Sequence, residues 1–344
     1  MKVYFRTNFN KKAGIGHLSR TYNLYLELKK IYTCRVIIDK KQNNLPFFKN
    51  SEDLIYLYDK GEFKNEKTDA SLFIKKILSD KKNIIIVDDY RFGELWEKKL
   101  SKYAKKIIAI DDFIQKKHHA DLLINTKPEL LNIDLVALNK IKKCNKSGAE
   151  LLLGPKYSIT NNFFNNRVKV KNKKKINITF YNGGSGDILI YKKIIKLILE
   201  NQKNIIINLI CGPFAKNVIS IILKYKKNKN VKIINNNDDF HKTLINTSLL
   251  IGSCGLISFE TARINLPSIL IVMNKNQVIN KNTLEEIGHH FILKKKDIKN
   301  SKKFYDLFVL CLKNLKRIKR MMRQSKFSLR NDGKKLIIES ILKK

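Results

Sequence analysis

The stretch Ala13-Gly14-Ile15-Gly16-His17-Leu18-Ser19-Arg20 decides how this chain is read. It follows a β-branched and aromatic run, Lys2 to Arg6, and opens an apolar-periodic helix that continues to about Lys30. Two glycines ease the backbone through the junction, because glycine reaches φ/ψ values closed to other residues. His17 then falls near a helix N-terminus, where free N–H groups point outward. Ligands of open α/β sheets bind at this edge, beyond the carboxyl ends of the strands. His17 is therefore the leading candidate for chemistry.

Outward from this stretch, short β-branched runs alternate with longer helical patterns, the signature of βαβ units and parallel sheets. Strands are predicted at Cys34–Ile38, Asp53–Leu57, Asn83–Val87, Lys106–Ile110, Asp121–Ile124 and Leu151–Leu153, with helices near 70–79 and 94–103. Between 127 and 150 the pattern loosens. The lysine-rich stretch 161–175 reads as a linker, which bounds a first domain at 1–160. A second domain, 176–300, restarts with strand Ile176–Tyr181 and the turn Asn182-Gly183-Gly184-Ser185-Gly186-Asp187. Further strands are predicted at 204–210, 231–234, 248–251 and 268–272. The strand at 248–251 enters Gly252-Ser253-Cys254-Gly255 and a helix carrying Glu260. The remainder, 301–344, reads as helices that pack back on both domains. Two similar α/β domains, with a cleft between facing carboxyl edges, is the predicted architecture.

Composition narrows the function. The chain has 344 residues, 43% of them apolar, and a formal net charge of +40. Such a charge ordinarily suggests nucleic acid or an anionic surface. Here lysine, asparagine and isoleucine are abundant throughout while arginine is scarce, as in an AT-biased coding sequence, and no aromatic–arginine pattern of a nucleic-acid binder occurs. The positive field suits an anionic small substrate, and no nucleic-acid partner is implied. The five cysteines are far apart and mostly within apolar runs, which reads as free thiols in a reducing cytosol. No signal peptide is read at the N-terminus. No apolar run approaches the roughly eighteen residues that span a bilayer. A cytoplasmic protein without stable membrane insertion, held at most loosely against anionic lipid, and a monomer, is expected.

The glycine turns at Gly183-Gly184 and Gly252–Gly255 each join a strand to a helix, where backbone N–H groups and the helix dipole favour a phosphate. Neither matches a dinucleotide or P-loop pattern. Glycines equally serve ordinary tight turns, so either one alone is undecided, whereas two on neighbouring edges favour a diphosphate. Glu260 either accepts the hydroxyl protons of a ribose or is an acidic residue favoured near a helix N-terminus. The other histidines, including His118 and His290, have surface or supporting roles as their ordinary reading. The pairs Asp88-Asp89, Asp111-Asp112 and Asp238-Asp239 invite a metal, but successive strand residues point to opposite faces and do not share an ion. No metal and no cofactor is expected, and no G-x-S-x-G elbow is present for serine-hydrolase chemistry.

These residues resemble, nearly end to end, the pseudaminic acid pathway hydrolases that remove UDP from UDP-2,4-diacetamido-2,4,6-trideoxy-β-L-altropyranose. Gly14-Ile15-Gly16-His17-Leu18-Ser19-Arg20 is similar to the family's G-x-G-H-x-x-R signature, and Asp88-Asp89-Tyr90 to its strand ending in D-x-Y. Ile110-Asp111-Asp112 with His118, Asp121 and Asn125 resembles its I-D-D…H-x-x-D…N segment. Leu153-Gly154-Pro155-Lys156-Tyr157, Gly183-Gly184-Ser185, the spacing of Glu260 to Asn276-Gln277, and Asp332-Gly333 complete the likeness. The family implies two Rossmann-like domains in the glycosyltransferase-B type fold, and a metal-free, inverting hydrolysis at the anomeric carbon of a UDP-sugar. It implies His17 as the base that activates water, and Gly14, Gly16, Arg20, Tyr90, Asn276 and Gln277 about the sugar or the water. Gly183, Gly184, Ser185, Ser253, Cys254 and Gly255 would then hold the diphosphate, and Glu260 the ribose. Gly186 lengthens the first phosphate turn by one residue, and Leu256 stands where the family often has serine or threonine. A glycosyltransferase using the same base on an acceptor hydroxyl, and a non-catalytic basic binding protein, are the alternatives.

Overall fold

In a computed structural model of the chain, residues 1–10, 14–42, 45–48, 51–78, 83–113, 116–127, 133–164, 175–235, 240–273, 277, 285, 290–324 and 332–343 are described. They divide into two compact units, Met1–Ile159 with Asp332–Lys344, and Thr160–Asn331. Each is built on an all-parallel sheet with helices on both faces. Continuous apolar strands such as Ile84–Val87 and Leu249–Ile251 are buried on both sides, as that arrangement requires.

The first sheet comprises β1 (Lys2–Thr7), β2 (Thr33–Ile38), β3 (Leu54–Tyr56), β4 (Asn83–Asp88), β5 (Ala104–Ile110), β6 (Leu122–Asn125) and β7 (Glu150–Leu153). Their order is β3-β2-β1-β4-β5-β6-β7. Helices α1 (Gly16–Leu28), α2 (Glu66–Ile77), α3 (Glu94–Ser101) and α4 (Leu135–Lys143) connect them. Alternate strand residues Tyr4, Ile85, Val87, Ile107 and Ala109 pack with Phe73 of α2 and Trp96 and Leu100 of α3. On the other face α1 lies against β1, β2 and β4, burying Leu18, Leu24 and Leu28.

In the second unit β8 (Ile176–Tyr181), β9 (Ile205–Cys211), β10 (Val231–Asn235), β11 (Leu249–Ser253), β12 (Ser268–Val272) and β13 (Phe291–Lys294) take the order β10-β9-β8-β11-β12-β13. A 3-10 helix at Ile188–Tyr191 leads into α5 (Lys192–Asn201), followed by α6 (Val218–Tyr225), α7 (Phe240–Ile245) and α8 (Leu256–Arg263). The C-terminal helices are divided between the units. Helices α9 (Ser301–Lys313) and α10 (Leu315–Gln324) join the second core through Phe304, Phe308, Ile318 and Met322. Helix α11 (Gly333–Leu342) touches α1 and the 3-10 turn Pro155–Tyr157 of the first unit.

Each sheet reverses its winding once, between β1 and β4 in the first and between β8 and β11 in the second. At such a switch point the loops leave the carboxyl edge in opposite directions and open a crevice. The loops holding His17 and Asp88 flank the first reversal, and those holding Gly183 and Ser253 flank the second.

The turns after β8 and β9 are packed backbone to backbone. A Cβ on Gly212 would lie 2.4 Å from the Gly183 carbonyl oxygen and 2.6 Å from Gly184 Cα. Gly212→Ala must therefore displace main chain and should lower unfolding free energy by about 1–3 kcal/mol in urea titrations. Gly255 has open space at its Cβ position, so Gly255→Ala should stay within about 0.5 kcal/mol of the parent. Equal effects of the two substitutions would contradict this packing.

Candidate functional site

Strand parity builds the site in the first unit. In β4, Ile84, Ile86 and Asp88 point to the face covered by α1, whereas Asp89 follows Ile85 and Val87 to the other. In β5 the same alternation sends Asp112 toward α1 and Asp111 toward α3. His17 and Arg20, one turn apart on α1, share a helix face. They meet Asp88 and Asp112 there.

His17 Nδ1 lies 2.6 Å from Asp88 Oδ1. Arg20 grips the same carboxylate with two nitrogens, Nη2 at 2.6 Å from Oδ1 and Nε at 3.0 Å from Oδ2, and bonds Asp112 with Nη1. Asp112 also accepts from Tyr90 Oη at 2.6 Å and from Thr126 Oγ1 at 3.1 Å. The Tyr90 ring meets the His17 ring edge-on at 4.4 Å. Arg20 and Asp88 are buried, and His17 keeps 9% of its surface. Burial opposes the Arg20 charge, but Asp112 and Asp88 override it and raise its pKa well above the ordinary value. Burial likewise opposes ionisation of Asp112, and Arg20 and Tyr90 reverse the effect, bringing its pKa down to about 2. For Tyr90, burial is the first cause of a phenol pKa raised well above its usual value, with Asp112 adding to it.

The consequence is a fixed tautomer. A carboxylate bound by a guanidinium only accepts, so Nδ1 is the His17 nitrogen that carries hydrogen, and in the neutral ring Nε2 is the one with a lone pair. The loop before it is shaped for the purpose. Gly14 has φ +74° and donates its N–H to the Asn10 carbonyl at 2.8 Å. Ile15 caps α1 with no side-chain hydrogen bond, so Gly16 begins a helix whose first N–H groups no side chain has capped.

In the second unit Gly183 takes φ +72°, and a Cβ there would lie 3.4 Å from Ser253 Oγ across the crevice. The residue that lengthens this turn has a physical reason to be glycine: a Cβ on Gly186 would fall 1.9 Å from the Asn182 carbonyl oxygen. The carbonyls of Gly184 and Gly186 accept from Phe214 and Lys216, tying the turn containing Ser185 to the one after β9. Gly255 caps α8 without a side-chain bond. The Cys254 N–H is already donated to the Ile271 carbonyl at 3.0 Å, so the amides open to a phosphate there begin at Gly255. Burial pushes the Cys254 thiol up to about 12, with Glu285 adding to it. Glu260 is 8% exposed, its carboxyl makes no hydrogen bond or ion pair among the described residues, and burial pushes it up to about 8. Gln277 Oε1 accepts the Met273 N–H at 2.7 Å at the end of β12, while Asn276 and Asp238-Asp239 lie outside the described residues.

Motif reading placed Asp88 and Asp112 in family segments but gave them no role of their own, and the parity of β4 and β5 was the signal that could have paired them with His17 and Arg20. His118 has a supporting role in a buried setting. Its Nδ1 is 2.7 Å from Glu97 Oε1 and its Nε2 3.1 Å from Asp111 Oδ2. Burial opposes its charge, and the carboxylates of Asp111 and Glu97 override that, raising its pKa to about 9. Among the described residues, no group of three or more His, Cys, Asp or Glu side chains is placed to hold a metal ion.

No protein-family model matches the chain. It is 27% identical over 287 residues to an uncharacterized protein, MJ1062, of Methanocaldococcus jannaschii, covering 80% of this chain and 57% of that one. The chain thus spans little more than half the length of that relative. It is 22% identical over 293 residues to the UDP-2,4-diacetamido-2,4,6-trideoxy-β-L-altropyranose hydrolase of Campylobacter jejuni, covering 84% of this chain and 98% of that one. Among solved structures, the calicheamicin glycosyltransferase CalG4 superposes with a TM-score of 0.63 at 10% identity, covering 98% and 97% of the two chains. The UDP-GlcNAc 2-epimerase of Neisseria meningitidis bound to UDP-GlcNAc does so with a TM-score of 0.60 at 13% identity, covering both chains completely. The fold is the two-domain glycosyltransferase-B type.

The His118 cluster gives stability a pH dependence. Its folded pKa, about 9, lies above the ordinary 6.5, so the contribution is fully present below pH 6.5 and is lost as pH rises through about 9. The loss should reach about 3 kcal/mol. Urea unfolding of wild type and His118→Gln between these limits checks it: the wild type should weaken more steeply, and parallel curves would refute the assignment.

Proposed function

We propose that this chain hydrolyses a UDP-linked 2,4-diacetamido-2,4,6-trideoxy sugar at the anomeric carbon, with inversion, releasing UDP and free sugar for nonulosonic acid synthesis. The observation that carries the reading is the 2.6 Å contact of His17 Nδ1 with a buried aspartate that Arg20 also holds. Similarity to the Campylobacter jejuni hydrolase over nearly all of that protein supports this chemistry on this fold. The Neisseria meningitidis structure, bound to UDP-GlcNAc, supports UDP-sugars as the ligand class.

His17 Nε2 takes a proton from water as the water oxygen bonds to the anomeric carbon. The bond from that carbon to the UDP oxygen breaks, and UDP leaves with the electron pair. Asp88 then faces an imidazolium and stabilises it, while Tyr90 bounds the ring edge. In the second unit the turn Gly183–Ser185 and the uncapped start of α8 at Gly255 offer N–H groups to the diphosphate. Glu260, lacking a protein donor among the described residues, accepts from the ribose hydroxyls. Transfer to an acceptor alcohol is the second reading, favoured by the fold shared with the calicheamicin glycosyltransferase.

His17→Ala should lower turnover roughly a hundredfold or more with UDP still bound, and Asp88→Asn, which frees the ring to adopt the wrong tautomer, should cost a comparable factor. Near-normal kinetics of purified His17→Ala on the UDP-diacetamido sugar would end the assignment. Proton NMR with no acceptor added separates the readings: free sugar of inverted configuration supports hydrolysis, and an inert substrate supports transfer.

Glu260 supplies an independent check. Its carboxyl, at about 8, must ionise to accept both hydroxyl protons, so UDP affinity should rise about tenfold from pH 7 to pH 9, with proton release on binding. Calorimetry should find this dependence absent in Glu260→Gln. An affinity that does not change with pH would exclude the ribose role.

A further inference from the structure

Helix α6 is out of place by ordinary patterning. Its sequence, Val218-Ile219-Ser220-Ile221-Ile222-Leu223-Lys224-Tyr225, is apolar on nearly every side, and such helices are normally buried on every side. Here only the inner side is covered, Ile221 and Tyr225 packing into the core of the second unit. Ile219, Ile222 and Leu223 are 75%, 40% and 61% exposed. Their i, i+3, i+4 spacing makes them one outward stripe.

The stripe is set in positive charge. From Asn201 to Asn237 the chain has seven lysines and no acidic residue. Lys224, Lys226 and Lys227 flank the stripe and are exposed. Helix α5 covers the same sheet face, and its cations reach the same surface: burial, and then the charges of Lys192 and Lys196, lower the Lys224 pKa. On α5 Lys196 pairs with Glu200 at 3.6 Å, while α6 and its flanking loops offer no acid to the other lysines.

We propose that the α5–α6 face of the second unit docks on an anionic lipid bilayer, with Ile219, Ile222 and Leu223 entering the acyl boundary and the surrounding lysines meeting lipid phosphates. An interfacial helix has this composition, an apolar face within a lysine-rich rim. The two features together select the partner. Nucleic acid answers the lysines and offers nothing to three aliphatic side chains. A second copy answers the stripe and repels the lysines, at +40 per chain. A bilayer with acidic headgroups answers both. Among the described residues no helix is long and apolar enough to cross a membrane, so this is attachment at the surface.

Co-sedimentation of the full chain with phosphatidylglycerol–phosphatidylcholine vesicles tests the proposal, with pure phosphatidylcholine vesicles in parallel. Binding should be confined to the anionic vesicles at about 0.1 M salt and should fall steeply toward 1 M, where screening shortens to about 3 Å. Ile222→Asp/Leu223→Asp and Lys226→Glu/Lys227→Glu should each weaken partitioning about tenfold or more with the unfolding midpoint retained. Equal binding to neutral vesicles, no binding to either, or unchanged partitioning of both variants would overturn it. So would a concentration-dependent dimer without lipid that Ile222→Asp/Leu223→Asp abolishes, or displacement from the vesicles by equimolar duplex RNA.

Discussion

A guanidinium buried between two carboxylates holds only as a set. Arg20, 3% exposed, bonds both Asp88 and Asp112, and removing any of the three leaves the others charged and dry. Breaking such buried pairs typically costs about 3–5 kcal/mol. The set also fixes everything that touches it. Asp88 orients the His17 ring, and Asp112 orients the Tyr90 hydroxyl and is itself held by Thr126 on the loop after β6. Three strand ends, those of β4, β5 and β6, are thereby tied to one helix. Charge that would weaken a core elsewhere here gives rigidity to the His17 and Tyr90 side chains.

The arrangement follows from two geometric facts, neither specific to sugar chemistry. A parallel sheet that reverses its winding opens a crevice between the two strands at the reversal. Strand parity then decides which side chain of a strand end faces the helix lining that crevice. Hence Asp88 and Asp112 serve α1, while their neighbours Asp89 and Asp111 turn to Arg91 and His118 on the opposite side. In the second unit the same reversal brings the β8 and β11 turns together. There the fit is made by glycine backbone: Gly252 and, at the end of β9, Gly212 stand where a Cβ would strike main chain, and Gly183 takes a positive φ.

Because these facts are local, much of the molecule was legible in the sequence. The periodicity of β1, β4, β5, β8 and β11 and their punctuation by glycine or aspartate announced the parallel sheets and their carboxyl edges. Helix α4 was missed because its pattern misleads: Leu135 and Val136 are exposed, and Ile141 is its only buried residue. Strand β13 buries only Ile292, too little to register as a period. The His118 cluster unites positions 97, 111 and 118, and no spacing rule links a helix to a loop across a strand. Glu260 was visible as a residue, but that its carboxyl is buried with no donor among the described residues is a property of packing, which the sequence does not carry.

The two basic residue types are used differently, and this bears on the charge excess. Arginine is scarce, yet Arg6, Arg20 and Arg91 all lie at the carboxyl edge of the first sheet, each paired with aspartates. A planar, permanently charged fork can satisfy two carboxylates in a buried network, which a lysine ammonium cannot match. Lysine covers the outside, where its long stem lets it lie over apolar surface and keep its charge in water. Coding bias alone explains an abundance of lysine spread along the chain. It does not explain acid-free lysine runs placed beside an aliphatic stripe on α6 whose exposure to water is unfavourable. The conjunction of the two, on a helix remote in sequence from the His17 loop, distinguishes a surface selected for contact from a surface that is merely basic.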